Sequence, residues 1–74
     1  MSVEVFGITG KALKRARRDR DAAQWAMYKA AKRAAAARTD AALKEPLREL
    51  RGALKAYEEH SKDVAVLERQ LDLL

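Results

Sequence analysis

The stretch "RTDAALKEP", residues 38–46, decides the fold. Thr39 and Asp40 are residues that cap helices or start turns. Pro46 disfavours helix at Glu45 and suits the first turn of a new helix. On either side the chain favours helix. From Lys11 to Arg38 there is neither glycine nor proline, and Ala, Lys, Arg and Met are strong helix formers. After Pro46 a second helix-forming run reaches the C-terminal residues, weakened at Gly52 and at His60-Ser61. One break between two runs of similar length predicts an all-α, antiparallel two-helix hairpin. The expected bounds are a helix over 9–38, a turn over 39–45 and a helix over 46–72. Ser61 marks a place for a kink or for the start of a third helix.

The apolar pattern gives the packing. In the first helix Leu13, Ala16, Ala23, Met27, Ala30, Ala34, Ala37 and Ala41 recur at helical spacing, with Arg20 intruding. In the second, Leu47, Leu50, Leu54 and Tyr57 do so. After a polar gap at Ser61 the pattern resumes at Val64, Leu67, Leu71 and Leu74, which implies a phase slip. An alanine seam facing a leucine seam predicts close, coiled-coil-like packing.

Residues 1–8, MSVEVFGI, read as a short extended arm. Val3 and Val5 share one face and Phe6 and Ile8 the other. Thr9 is an expected N-cap, with Ile8 and Leu13 as a hydrophobic staple. The pair Gly10-Lys11 looks like a phosphate loop but is not one. Only two residues separate Gly7 from Gly10, and Ala12 has no hydroxyl to hold magnesium. Nucleotide hydrolysis is therefore not expected.

A chain of 74 residues buries only about 60–65% of its unfolded surface, so its core is thin. Without cysteine it has no disulfide, thiol or zinc-finger chemistry. A partner chain is the expected reinforcement. No apolar run is long enough to span a membrane, and the N-terminus lacks signal-peptide order. The expected setting is the cytoplasm or a particle assembled there.

Charge is unevenly placed. Residues 11–38 hold ten basic and two acidic side chains, a net of +8; residues 39–74 hold six and eight, a net of −2. Cations near a helix N-terminus oppose its dipole, so an anion should compensate. Two sources are expected. Acids of the second helix can lie alongside in a hairpin, with Lys11 near Asp72, Arg15 near Glu68 and Arg20 near Asp63. Alternatively a nucleic acid backbone meets Lys11, Lys14, Arg15, Arg17, Arg18 and Arg20. The basic run carries no interleaved aromatic residues, which speaks against single-strand stacking.

Trp25 and Tyr28 lie one turn apart, away from the alanine seam. Such residues concentrate binding energy at interfaces. Together with Phe6, Val3 and Val5 they form the expected protein interface. The alternative is local: Trp25 covering the arm against Phe6 or Val5. Catalysis finds no support. His60 is the sole histidine, Asp63 alone lies near it, and two ligands do not make a zinc site. Ser61 adjoins His60 and so points elsewhere on a helix. No catalytic residue, metal site or cofactor is expected. The sequence points to a non-catalytic protein-protein interaction module, an assembly, structural or adaptor component that works as an oligomer or on partner chains. The alternatives are an accessory nucleic-acid-binding protein and a small inhibitor of another protein.

Overall fold

The structure, a computed structural model, describes the backbone of residues 3–73 and the side chains of residues 7–73. Helix α1 spans Val3–Ala36 and helix α2 spans Asp40–Leu73. They pack side by side as an antiparallel hairpin. The rod measures 58 × 13 × 12 Å between Cα extremes.

The turn is tighter than residues 38–46 suggest. Ala36 ends α1, and Ala37 donates to the Ala34 carbonyl at 3.2 Å, tightening the last turn. Thr39 then caps α2: its Oγ1 accepts from the Ala42 amide at 3.1 Å, and its carbonyl accepts from Leu43 at 3.1 Å. Asp40 favours the positive end of the helix dipole. This cap starts α2 six residues before Pro46, so residues 40–45 are helix and not turn. Inside α2 Pro46 withholds a donor from the Ala42 carbonyl and crowds it, and burial of its ring between the helices offsets that cost.

The N-terminal arm is also helical, from Val3 onward. A lone β-prone segment has no strand to pair with, whereas extending an existing helix avoids the cost of nucleation. Thr9 is consequently no cap; it is half-buried, one turn before Leu13. Gly7 makes no bend, and all three glycines have negative φ. Among the described residues there is no third helix: α2 passes through His60 and Ser61 unbroken.

The seam is more regular than the leucines imply. In α1 the inward positions are Thr9, Leu13, Ala16, Arg20, Ala23, Met27, Ala30 and Ala34, and the series ends on Ala37 just past the helix; all are buried or half-buried. In α2 they are Leu43, Pro46, Leu50, Ala53, Tyr57, His60, Val64, Leu67 and Leu71. Both sets alternate steps of three and four, the signature of knobs packed at a 3.5-residue repeat. The expected phase slip does not exist. It arose from choosing Leu54 and Ser61 for the seam, where Ala53 and His60 hold the central positions. Leu54 flanks the seam and is exposed. Ala41 belongs to α2 and is exposed; Leu74 lies outside the described residues.

The best-buried apolar cluster lies toward the open end, where Leu13, Ala16 and Val64 pack with Leu67 and Leu71. Farther along, Ala23 and Ala30 are buried, Ala30 to 1% exposure. Alanine there lets the helix axes approach closely. Beside the seam, the Ser61 hydroxyl is buried without a hydrogen-bond partner.

Candidate functional site

On the outer side of α1, opposite the alanine seam, Trp25 and Tyr28 stack with ring centroids 5.4 Å apart and 19° between planes. Their i, i+3 spacing brings them together on one helical face. The same geometry carries cations over each ring. The Lys29 ammonium lies 5.6 Å from the Trp25 ring centre, and that of Lys32 lies 5.5 Å from the Tyr28 ring. These are cation–π contacts within the attractive range. The result is an ordered aromatic pair that is nevertheless open: Trp25 is 57% and Tyr28 52% exposed. Asp21 and Gln24 join the two rings around a shallow depression.

Of the other residues expected at this interface, the backbones of Val3, Val5 and Phe6 are the first turns of α1, and their side chains lie outside the described ones. They do not join the aromatic pair. Phe6 and Trp25 lie on one continuous helix, 19 residues apart, which is about 28 Å along its axis. Trp25 therefore does not cover an arm, and the site shrinks to Trp25, Tyr28 and the two lysines. Sequence reasoning reached the rings but missed Lys29 and Lys32 as their caps, although the i, i+4 spacing gave the signal.

The basic run of α1 is dispersed around the helix. Arg17 turns toward α2 and pairs with Glu68 at 3.4 Å. Arg20 sits half-buried in the seam, 4.0 Å from Asp21. Arg15 lines a groove between the helices with Asp19, His60 and Asp63. Only Lys11, Lys14 and Arg18 share the outer side with Trp25, by their steps of three and four. None of the three expected cross-helix pairs forms; Glu68 takes Arg17 in place of Arg15. Arg33 pairs with Glu49 nearer the loop. The two cross-helix pairs are more than two-fifths exposed on every side chain, so each contributes about 0–1 kcal/mol. They favour the antiparallel alignment and leave most of the basic charge of α1 unneutralised by α2.

His60 is half-buried beside Asp19 and Asp63. Among the described residues no three acidic, histidine or cysteine side chains are placed to hold a metal ion. No described helix is long and apolar enough to cross a membrane. Comparison with protein-family models, with curated proteins and with solved structures gives no match to any of them.

Proposed function

We propose that this hairpin is a non-catalytic protein-binding module, an assembly or adaptor component that docks on a partner chain through the outer face of α1. The observation that carries this reading is the stacked Trp25–Tyr28 pair, held in place yet more than half exposed. Rings already stacked and capped by lysines lose little freedom on binding. The ammonium groups beside them select a partner whose apolar pocket is rimmed by carboxylates.

The hairpin's proportions support the reading. A compact monomer of 8.3 kDa exposes about 4,600 Å², whereas this chain exposes 6042 Å². The radius of gyration is 16.8 Å, against about 11 Å for a compact chain of this length. The excess surface is of the order that one protein contributes to a stable interface. Ile8, Val66 and Leu73 add exposed apolar area near the open end.

The test replaces the rings. Trp25→Ala with Tyr28→Ala should abolish co-purification of the native partner chains, or self-association on sedimentation, with the helical circular dichroism unchanged. Assembly that survives the double substitution refutes the reading. A second reading, nucleic acid binding through α1, rests on Lys11, Lys14 and Arg18, which are exposed and form no ion pair among the described residues. Replacing these three with glutamine separates the two.

A further inference from the structure

The basic residues of α2 carry a pattern that its net negative charge conceals. Lys44, Arg48, Arg51, Lys55, Lys62 and Arg69 are all the cations of residues 39–74. Their spacing is 4, 3, 4, 7 and 7, so all six fall on one stripe of the helix. The seam positions Leu43, Pro46, Leu50, Ala53 and Tyr57 place that stripe on the side of α2 facing away from α1. All six cations are exposed, and none forms an ion pair among the described residues. Of the eight acids of this segment, Glu58 (three residues after Lys55) and Asp72 (three after Arg69) fall on the stripe, so the stripe is purely basic only from Lys44 to Lys55. Lys44, Arg48 and Arg51 converge with Leu47 on one shallow groove.

This arrangement works against the free helix. Lys44–Arg48, Arg48–Arg51 and Arg51–Lys55 are like charges at neighbouring helical positions, which destabilises the helix. Asp40 and Glu45 lie one turn before Lys44 and Arg48, and Glu58 and Glu59 one turn after Lys55, yet among the described residues none of these acids pairs with a cation of the quartet. A bound polyanion removes the repulsion. From Lys44 to Lys55 the four cations span about 16 Å, a row as long as about five successive phosphates along one strand of a duplex, which recur every ~3.4 Å. The quartet contains no aromatic residue, so it offers no platform for unstacked bases.

We propose that the outer stripe of α2, centred on Lys44, Arg48, Arg51 and Lys55, binds the phosphate backbone of duplex nucleic acid without reading its sequence. The site is separate from the Trp25 face, which points away from the other side of the hairpin. The rod can therefore hold a protein on α1 and a duplex on α2.

The test is fluorescence anisotropy of a labelled random duplex with the full chain at two salt concentrations. Four phosphate contacts give a log–log salt slope of about −3.6, hence an affinity loss of about 150-fold between ~50 and ~200 mM salt. The variant K44Q/R48Q/R51Q/K55Q should bind at least about 100-fold more weakly at the lower salt and flatten the slope. Glutamine favours helix and the repulsion is gone, so this variant should melt at or above the wild-type temperature; that control excludes unfolding as the cause. K44R/K55R should retain binding. Retention of duplex affinity by the quartet variant, or loss only in K11Q/K14Q/R18Q, overturns the proposal. So does wild-type chain that binds poly-glutamate but not the duplex, which would make the partner an acidic protein. Trp25→Ala should leave duplex affinity unchanged, so failure of the α1 docking reading and failure of this one are distinguishable.

Discussion

Toward its open end the rod is held by Leu13 and Val64, packed with Ala16, Leu67 and Leu71. Toward the loop the same 3.5-residue seam passes through Ala23, Ala30 and Ala34 on α1 and Ala37 just past it, which bury little area each. The loop half instead carries the exposed Trp25–Tyr28 stack and the convergent cations of α2. At the open end both helices contribute large apolar side chains to the seam, whereas toward the loop α2 contributes Leu43, Pro46 and Leu50 against a mainly alanine face of α1 that carries the aromatic pair on its other side. Stability and binding are divided between the two halves, so substitutions in one half should leave the other's property nearly intact.

The largest expected effect falls on the open half. Leu13→Ala should cost about 2–4 kcal/mol. A domain this size has a total of about 4–11 kcal/mol, so urea unfolding should show a much lower midpoint with an unchanged slope. Ala30→Gly in the loop half should cost only about 1 kcal/mol. Equal costs would break the comparison.

Next comes the outer face of the loop half. Trp25→Ala with Tyr28→Ala should weaken docking by at least about 2 kcal/mol, as anchor residues do. The free energy of unfolding should move by no more than about 0.5 kcal/mol, since both rings lie outside the seam. A fall in melting temperature comparable to that of Leu13→Ala would show that the rings belong to the core.

Smaller gains sharpen the picture in the middle of α2. A methyl group added at Gly52 meets nothing within 4 Å, so Gly52→Ala should stabilise by about 1 kcal/mol, raising the melting temperature by about 4–8 °C. Ser61→Ala removes a buried hydroxyl that has no partner and should stabilise by roughly 1 kcal/mol. The smallest effect belongs to the exposed ion pairs. Arg17→Gln and Arg33→Gln should each change stability by less than about 1 kcal/mol, and less still at high salt.

Much of this architecture was legible in the order of residues. The two long helix-forming runs and the break at Thr39 fixed an all-α hairpin, and the α1 seam was readable from Leu13 to Ala37. The termini of the helices were not. Thr39 caps the start of α2, its hydroxyl accepting from the Ala42 amide, while Pro46 sits about two turns in, where burial of its ring offsets its lost donor. The β-branched residues at the N-terminus prefer strand, but they lacked a strand to pair with. In α2 the larger Leu54 drew attention from Ala53, because size was weighed before spacing. Trp25 and Tyr28 were visible by type, whereas their lysine caps required the i, i+4 geometry. The stripe of cations on α2 escaped notice for a similar reason. Its charge was judged by sum, which the acids cancel, and not by helical position, where the stretch from Lys44 to Lys55 carries cations alone.

The measurement that tests the docking face most directly uses the chain's single tryptophan as its own probe. Quenching of Trp25 fluorescence by acrylamide should be compared between the assembly purified under native conditions and the isolated chain. The isolated chain should quench freely, since Trp25 is more than half exposed, and the assembly should protect the indole several-fold. Equal quenching in both states, or recovery of the chain from its native source only as a bare monomer, would contradict the account.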